Sequence, residues 1–211
     1  MSSCSERAPE RLELLGAVAY GELSASTRLA ADAERAPDLA GRAELVGLAG
    51  VELDHYRRVC DHLAAHDVDA VAAMAPFVAP LDAFTRRTEP HDWAESLVVA
   101  HLGRGLATDL QLDLATGWEG PTGELVREVA PDPGHEAFAA REVRVLCADP
   151  RVRARLSMWG RRLLGETLAA ATAVVAEHPG AAELVGAGGG RAALFKRLKS
   201  RHGKRMQVLG L

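Results

Sequence analysis

Apolar residues recur every three to four positions through most of the 211-residue chain, the repeat of helices that bury one face. Leu12, Leu15, Ala19, Leu23, Ser26 and Ala30 share such a face and predict a first helix from about Pro9 to Ala33. Ala36-Pro37-Asp38 interrupts it, and Asp38 suits the cap of a second helix running to about His66, with Leu45, Leu48, Val59 and Leu63 on one stripe. The connection from Asp67 to Pro90 contains Pro76 and Pro80, and Val78, Leu81 and Phe84 predict a short amphipathic helix within it. A third helix is expected from Asp92 to Gly117, a fourth from Pro121 or Thr122 to Cys147, and a fifth from Arg151 to Glu177. His178-Pro179-Gly180 stops the fifth, Gly186 to Gly190 reads as a glycine-rich hinge, and a last helix covers about Arg191 to Val208.

No stretch alternates like a half-buried strand for more than a few residues. Helices one and two form one hairpin, helices three and four another, and a long connection joins them. That order predicts an all-α, ferritin-like four-helix bundle of two antiparallel hairpins with a long crossover, plus extra C-terminal helices. Residues 1–180 are expected to form the bundle, and 181–211 a glycine-rich hinge with a basic helix packed on it. Composition agrees, with 48% hydrophobic, 26% charged and only 4% aromatic residues. A net charge of −4 gives no whole-chain nucleic-acid signal. Cys4, Cys60 and Cys147 lack metal-type spacing and read as reduced thiols. With no signal peptide and no long uncharged apolar run visible, the chain is expected to be soluble and cytoplasmic, without a membrane partner.

Charged residues interrupt the apolar stripes at four places. Glu22 lies on the first stripe, three beyond Ala19 and four before Ser26. Glu52 and His55, spaced by three, lie on the second; Asp109 lies on the third, with Val98, Leu102, Gly105 and Leu112; and Asp132 and His135, again spaced by three, lie on the fourth. Buried acids without cations are costly. Two divalent ions would balance them, and imidazole with carboxylate suits iron or manganese. One carboxylate from each of two helices and a carboxylate-x-x-His from each of the others is the donor pattern of di-iron carboxylate bundles. Glu22 and Glu52 are nearly equidistant from the Pro37 turn, and Asp109 and Asp132 from the Gly120 turn, so each pair is expected at one level. Pro131 and Pro133 flank Asp132 and leave an alternative, in which Asp132 caps a helix starting at Pro133 and the site is half built. Glu166, Tyr20 and Tyr56 read as ion-pair and packing residues.

The segments Ala19-Tyr20-Gly21-Glu22-Leu23-Ser24-Ala25, Glu52-Leu53-Asp54-His55, Met74-Ala75-Pro76-Phe77, Gly105-Leu106-Ala107-Thr108-Asp109, Gly134-His135-Glu136-Ala137-Phe138 and Trp159-Gly160-Arg161-Arg162-Leu163-Leu164-Gly165-Glu166 resemble the actinobacterial ferritin-like proteins called MiaE-like. These are relatives of the tRNA 2-methylthio-isopentenyladenosine hydroxylase. The resemblance implies a non-haem di-iron oxygenase that uses O₂, with a modified adenosine of tRNA as substrate and Glu22, Glu52, His55, Asp109, Asp132 and His135 as ligands. No flavin or nicotinamide fingerprint is present, so an external electron donor is expected. Lys196, Arg197, Lys199, Arg201, Lys204 and Arg205 form a basic tract on the last helix that suits a phosphate backbone, although no aromatic platform accompanies it. The competing readings are a ferritin-like metal-binding protein without oxygenation and a degenerate bundle acting as a helical interaction module. An exposed apolar face would allow a homodimer.

Overall fold

The computed structural model describes residues 9–131 and 133–211, with side chains from 11 to 131 and from 137 to 211. It is all-α, with no strand among the described residues. The first hairpin is α1 (Pro9–Asp32) and α2 (Leu39–Ala65), joined by a 3₁₀ turn over Ala33–Arg35. Asp38 caps α2 by accepting from the Gly41 amide at 2.8 Å. The two helices share the most extensive packing in the molecule.

The connection after α2 is more ordered than its prolines suggest. Helix α3 (Ala70–Arg87) runs through both Pro76 and Pro80. Each proline removes one backbone hydrogen bond, but α3 is held along α1 by other contacts. Phe77 is 2% exposed, and the Tyr20 hydroxyl donates to Asp82 Oδ1 at 2.5 Å. Gly16 permits the close approach, since a Cβ there would overlap the Ala73 carbonyl.

The expected third helix is three pieces: α4 (Trp93–Val98), a π-helical turn over Val99–Gly103, and α5 (Arg104–Leu114). A π turn carries one residue more than an α turn, so the faces of α5 are rotated relative to those of α4. The expected fourth helix is two, α6 (Pro121–Val129) and α7 (Pro133–Leu146). Pro131 and Pro133 break it, and Pro133 opens α7 at a position where a missing N–H costs nothing. The long α8 (Pro150–Glu177) follows, with Pro150 at its start. The segment read as stop and hinge contains α9 (Pro179–Ala187), opened by Pro179. Gly189 and Gly190 then turn at φ +92° and +80° into α10 (Gly190–Leu209), a conformation that glycine adopts without strain.

Among the described residues two large apolar clusters fill the core, and a smaller one of Val185, Leu194 and Leu198 lies between α9 and α10. Of the large ones, one gathers Leu29, Leu45, Leu48, Leu97, Leu102, Phe138, Leu156 and Leu163. The other gathers Leu15, Val18, Ala19, Val59, Leu63, Trp118, Val126 and Val129. Along α1 the clusters are separated at Glu22, and along α2 at Glu52 and His55. The polar site therefore sits at the seam between them. Helix α10 packs on α5, α7 and α8, and Gly160 of α8 gives it room, because a Cβ there would meet Met206.

Candidate metal centre

Helices α1 and α2 are regular through the seam, so residues that interrupt their stripes do point inward. The side chains of Glu22 and Glu52 are fully buried and His55 is 9% exposed. Their ligand atoms lie within 4.8 Å of one another. His55 Nδ1 is 3.7 Å from Glu22 Oε2 and 3.8 Å from Glu52 Oε2. Equal distance from the Pro37 turn has brought the two acids to one level.

A residue that periodicity does not single out completes the cluster. Arg104, the first residue of α5, has a side chain only 9% exposed. Its Nη1 lies 2.8 Å from Glu22 Oε2 and 3.0 Å from Glu52 Oε2. Its Nη2 donates to the Val129 carbonyl at 2.7 Å. One turn on, Thr108 donates to the Ala130 carbonyl at 2.6 Å, and Gln111 Nε2 donates to Glu22 Oε1 at 3.3 Å. Residues 104, 108 and 111 share one face of α5. That face looks at α1, α2 and the end of α6.

The electrostatics follow from burial and proximity. Burial, reinforced by the Glu52 carboxyl, raises Glu22 to about 7, with His55 and Arg104 pulling the other way. Hydrogen bonding to the Glu22 and Glu52 carboxylates raises His55 to about 9 despite its burial. Two carboxyl groups thus face an imidazole and a guanidinium, a balance reached without an ion. The same two oxygens and one imidazole nitrogen are a donor set that suits iron or manganese. No other group of three such donors occurs among the described residues.

A sequence model described as "Ferritin-like domain, actinomycetes" matches residues 8–188. The chain belongs to this ferritin-like family. A comparison with curated proteins gives no match. The family match ends before α10, which nonetheless packs on the ferritin-like bundle.

Within this ferritin-like frame the remaining candidate residues are placed differently. Asp109 is 5% exposed and turned toward α10, where Arg205 Nη1 lies 2.5 Å from its Oδ2 and Arg201 Nη1 3.6 Å from its Oδ1. Gly105, one turn earlier, leaves space for the Arg205 guanidinium. Spacing within α5 accounts for this: Arg104 and Asp109 are five residues apart on a regular helix, about 140° around it, so the face that brings Arg104, Thr108 and Gln111 to the triad turns Asp109 away. Asp132 lies outside the described residues, as does the side chain of His135.

The basic tract is only partly open. Arg197 pairs with Asp113 at 3.1 Å, Arg201 with Asp113 at 3.2 Å, and Arg205 with Asp109, all across to α5. Lys196, Lys199 and Lys204 are exposed. Glu166 lies 3.6 Å from Arg87. Tyr20 is raised to about 12, first by burial and then by its bond to Asp82, as befits a packing residue. No helix among the described residues is long and apolar enough to cross a membrane.

Proposed function

We propose that the protein is a non-haem metal-dependent oxidoreductase of the hydroxylase type, with an iron ion, or manganese in its place, on Glu22, Glu52 and His55. The observation that carries this reading is the convergence of two fully buried carboxylates and one imidazole within 4.8 Å, at the seam of a ferritin-like core. The donor chemistry fits one ion there. Arg104 already supplies a second positive charge to the same carboxylates, which favours one ion over two at this triad. Asp132 and His135 are proposed to complete the shell, because the chain reaches them just beyond Val129 and Ala130, whose carbonyls are held by Arg104 and Thr108.

The ion would supply O₂ activation. This chain's part is to bind the ion, balance its charge through Glu22 and Glu52 and keep the reacting carbon in an apolar space. Hydroxylation of a C–H bond takes one O₂, two electrons from an external donor and two protons, and yields the alcohol and water. A cavity lined by Glu52, Arg104 and Gln111 adjoins the triad and supports a substrate that reaches it directly. A modified adenosine of tRNA remains the substrate implied by the MiaE-like resemblance. It is supported by the exposed Lys196, Lys199 and Lys204, and weakened by the pairing of Arg197, Arg201 and Arg205 with α5.

Anaerobic loading with Fe(II), gel filtration and elemental analysis test the reading. The native chain is expected to retain about one iron, and Glu52→Ala and His55→Ala to lose it. Iron at background in the native chain would overturn the metal reading. Iron without reductant-dependent O₂ uptake would overturn the oxidation alone.

A further inference from the structure

Two cavities meet beside the carboxylates. The first, about 160 Å³, is lined by Val18, Phe77, Leu110, Val174, Val185 and Leu194, among other apolar residues. The second, about 150 Å³, reaches Glu52 and Arg104. They share Gly21, Leu81, Phe84, Gly103, Ala107 and Gln111, so they are two lobes of one space. The room has a sequence cause: Gly21 on α1, Gly103 at the end of the π turn and Ala107 on α5 are small and line both lobes. Native cores close such gaps unless something fills them. An apolar cavity of roughly 150 Å³ holds one benzene, so either lobe has room for a comparable piece of a ligand.

Gln111 lies where the lobes join and is 8% exposed. Its Nε2 donates to Glu22 Oε1 at 3.3 Å. That orientation leaves Oε1 buried with no hydrogen-bond donor. A buried acceptor without a donor is costly, and here it belongs to a residue that lines both lobes.

We propose that this two-lobed cavity binds a neutral, hydrocarbon-rich alcohol, with its chain in the apolar lobe and its hydroxyl donating to Gln111 Oε1. A charged head group does not suit the site, because the second lobe carries both signs of charge, Asp32 and Glu52 against Arg28 and Arg104, and offers neither an anion nor a cation a net attraction. As the substrate class of the proposed oxidation, the inference rests on the metal reading. As a binding site it does not, and metal-free protein separates the two.

The test is titration calorimetry and thermal shift on the metal-free full chain with three probes of equal chain length: 1-octanol, octyl methyl ether and octanoate. The alcohol is expected to bind and raise the melting temperature. The ether, which accepts but cannot donate, is expected to bind about tenfold more weakly, and octanoate more weakly still. Gln111→Leu is expected to bring alcohol and ether within about twofold of each other. Ala107→Phe fills the junction and is expected to abolish binding, with Ala170→Leu, in the wall of the apolar lobe, as a second blocking variant if the first does not fold. No octanol binding to the native chain, equal binding of alcohol and ether, tighter binding of octanoate, or unchanged binding in a folded blocking variant would each overturn the proposal. Iron content of the same preparations reports separately on the metal centre.

Discussion

Arg104 Nη1 bridges the two buried acids, 2.8 Å from Glu22 Oε2 and 3.0 Å from Glu52 Oε2. A buried pair broken by loss of one partner is strongly destabilising, because the remaining charge has no solvent to turn to. Arg104→Met in metal-free protein is therefore expected to lower unfolding free energy by about 3 kcal/mol. Added iron or manganese should restore most of this loss. The variant should also bind the ion about tenfold more tightly than the native chain, since no guanidinium competes for the oxygens. Urea unfolding with and without metal measures both effects. An Arg104→Met protein as stable as the native one would show that the carboxyl groups never needed the cation.

Asp109 sits against Arg205 and Arg201 rather than against the triad. Asp109→Asn is thus expected to leave metal content within about twofold of the native value while loosening α10, at a cost of about 1–3 kcal/mol. Hydrogen exchange along residues 190–209 and elemental analysis read the two effects in one sample. Loss of the ion with α10 still protected would return Asp109 to the ligand set.

His135 is proposed as a donor from the start of α7. His135→Ala should weaken metal binding at least about tenfold, with Tm of the metal-free protein unchanged. Equal affinity in variant and native chain would confine the donors to Glu22, Glu52 and His55.

His202 on α10 is 3% exposed. Burial, together with the nearby Arg205 charge, pushes its pKa below 6.5, against opposing contributions from the Gly160 backbone and Asp109. The unfolded chain therefore takes up a proton near pH 6.5 that the folded chain refuses. This contribution to stability is complete above pH 6.5 and declines as pH falls below it. Between pH 7.5 and 5.5, the native chain should lose more urea resistance than His202→Gln, which cannot titrate. Parallel losses in both proteins would remove His202 as the cause.

Two glycines on neighbouring helices should respond in opposite directions to the same change. Gly16 touches the Ala73 backbone, whereas Gly47 on the exposed face of α2 has nothing within 4 Å of an added Cβ. Gly16→Ala forces α1 and α3 apart and is expected to cost about 1–3 kcal/mol. Gly47→Ala removes backbone entropy from the unfolded chain and should add about 0.5–1 kcal/mol. Denaturant midpoints decide it, and like signs for the two would contradict the close packing of α1 on α3.

The helical class and the ferritin-like order of hairpins are legible in the periodicity, because every bundle helix has to bury one stripe. Glu22, Glu52 and His55 are legible for the same reason: α1 and α2 keep the ordinary repeat through their level, and charge on an apolar stripe stands out. Arg104 is not, since an arginine at a helix start reads as a solvated residue and its burial depends on the turn before it. Asp109 is misdirected because the stripe it shares with Gly105 faces α10 and not the triad. Helix α9 is hidden by Pro179 and Gly180, residues that punctuate loops and also open helices. The break between α6 and α7 is foreshadowed by Pro131 and Pro133, which is why capping at Asp132 stands as an alternative from the sequence onward.

The wide turn at Val99–Gly103 makes the character of the centre a matter of helix winding. Were the same residues wound as an unbroken α-helix, α5 would be turned by about a third of a turn. Gly103 would then occupy the place of Arg104, and the chamber would face its two acids without a guanidinium. The one surplus residue of that turn is thus what lets the ferritin-like core neutralise itself.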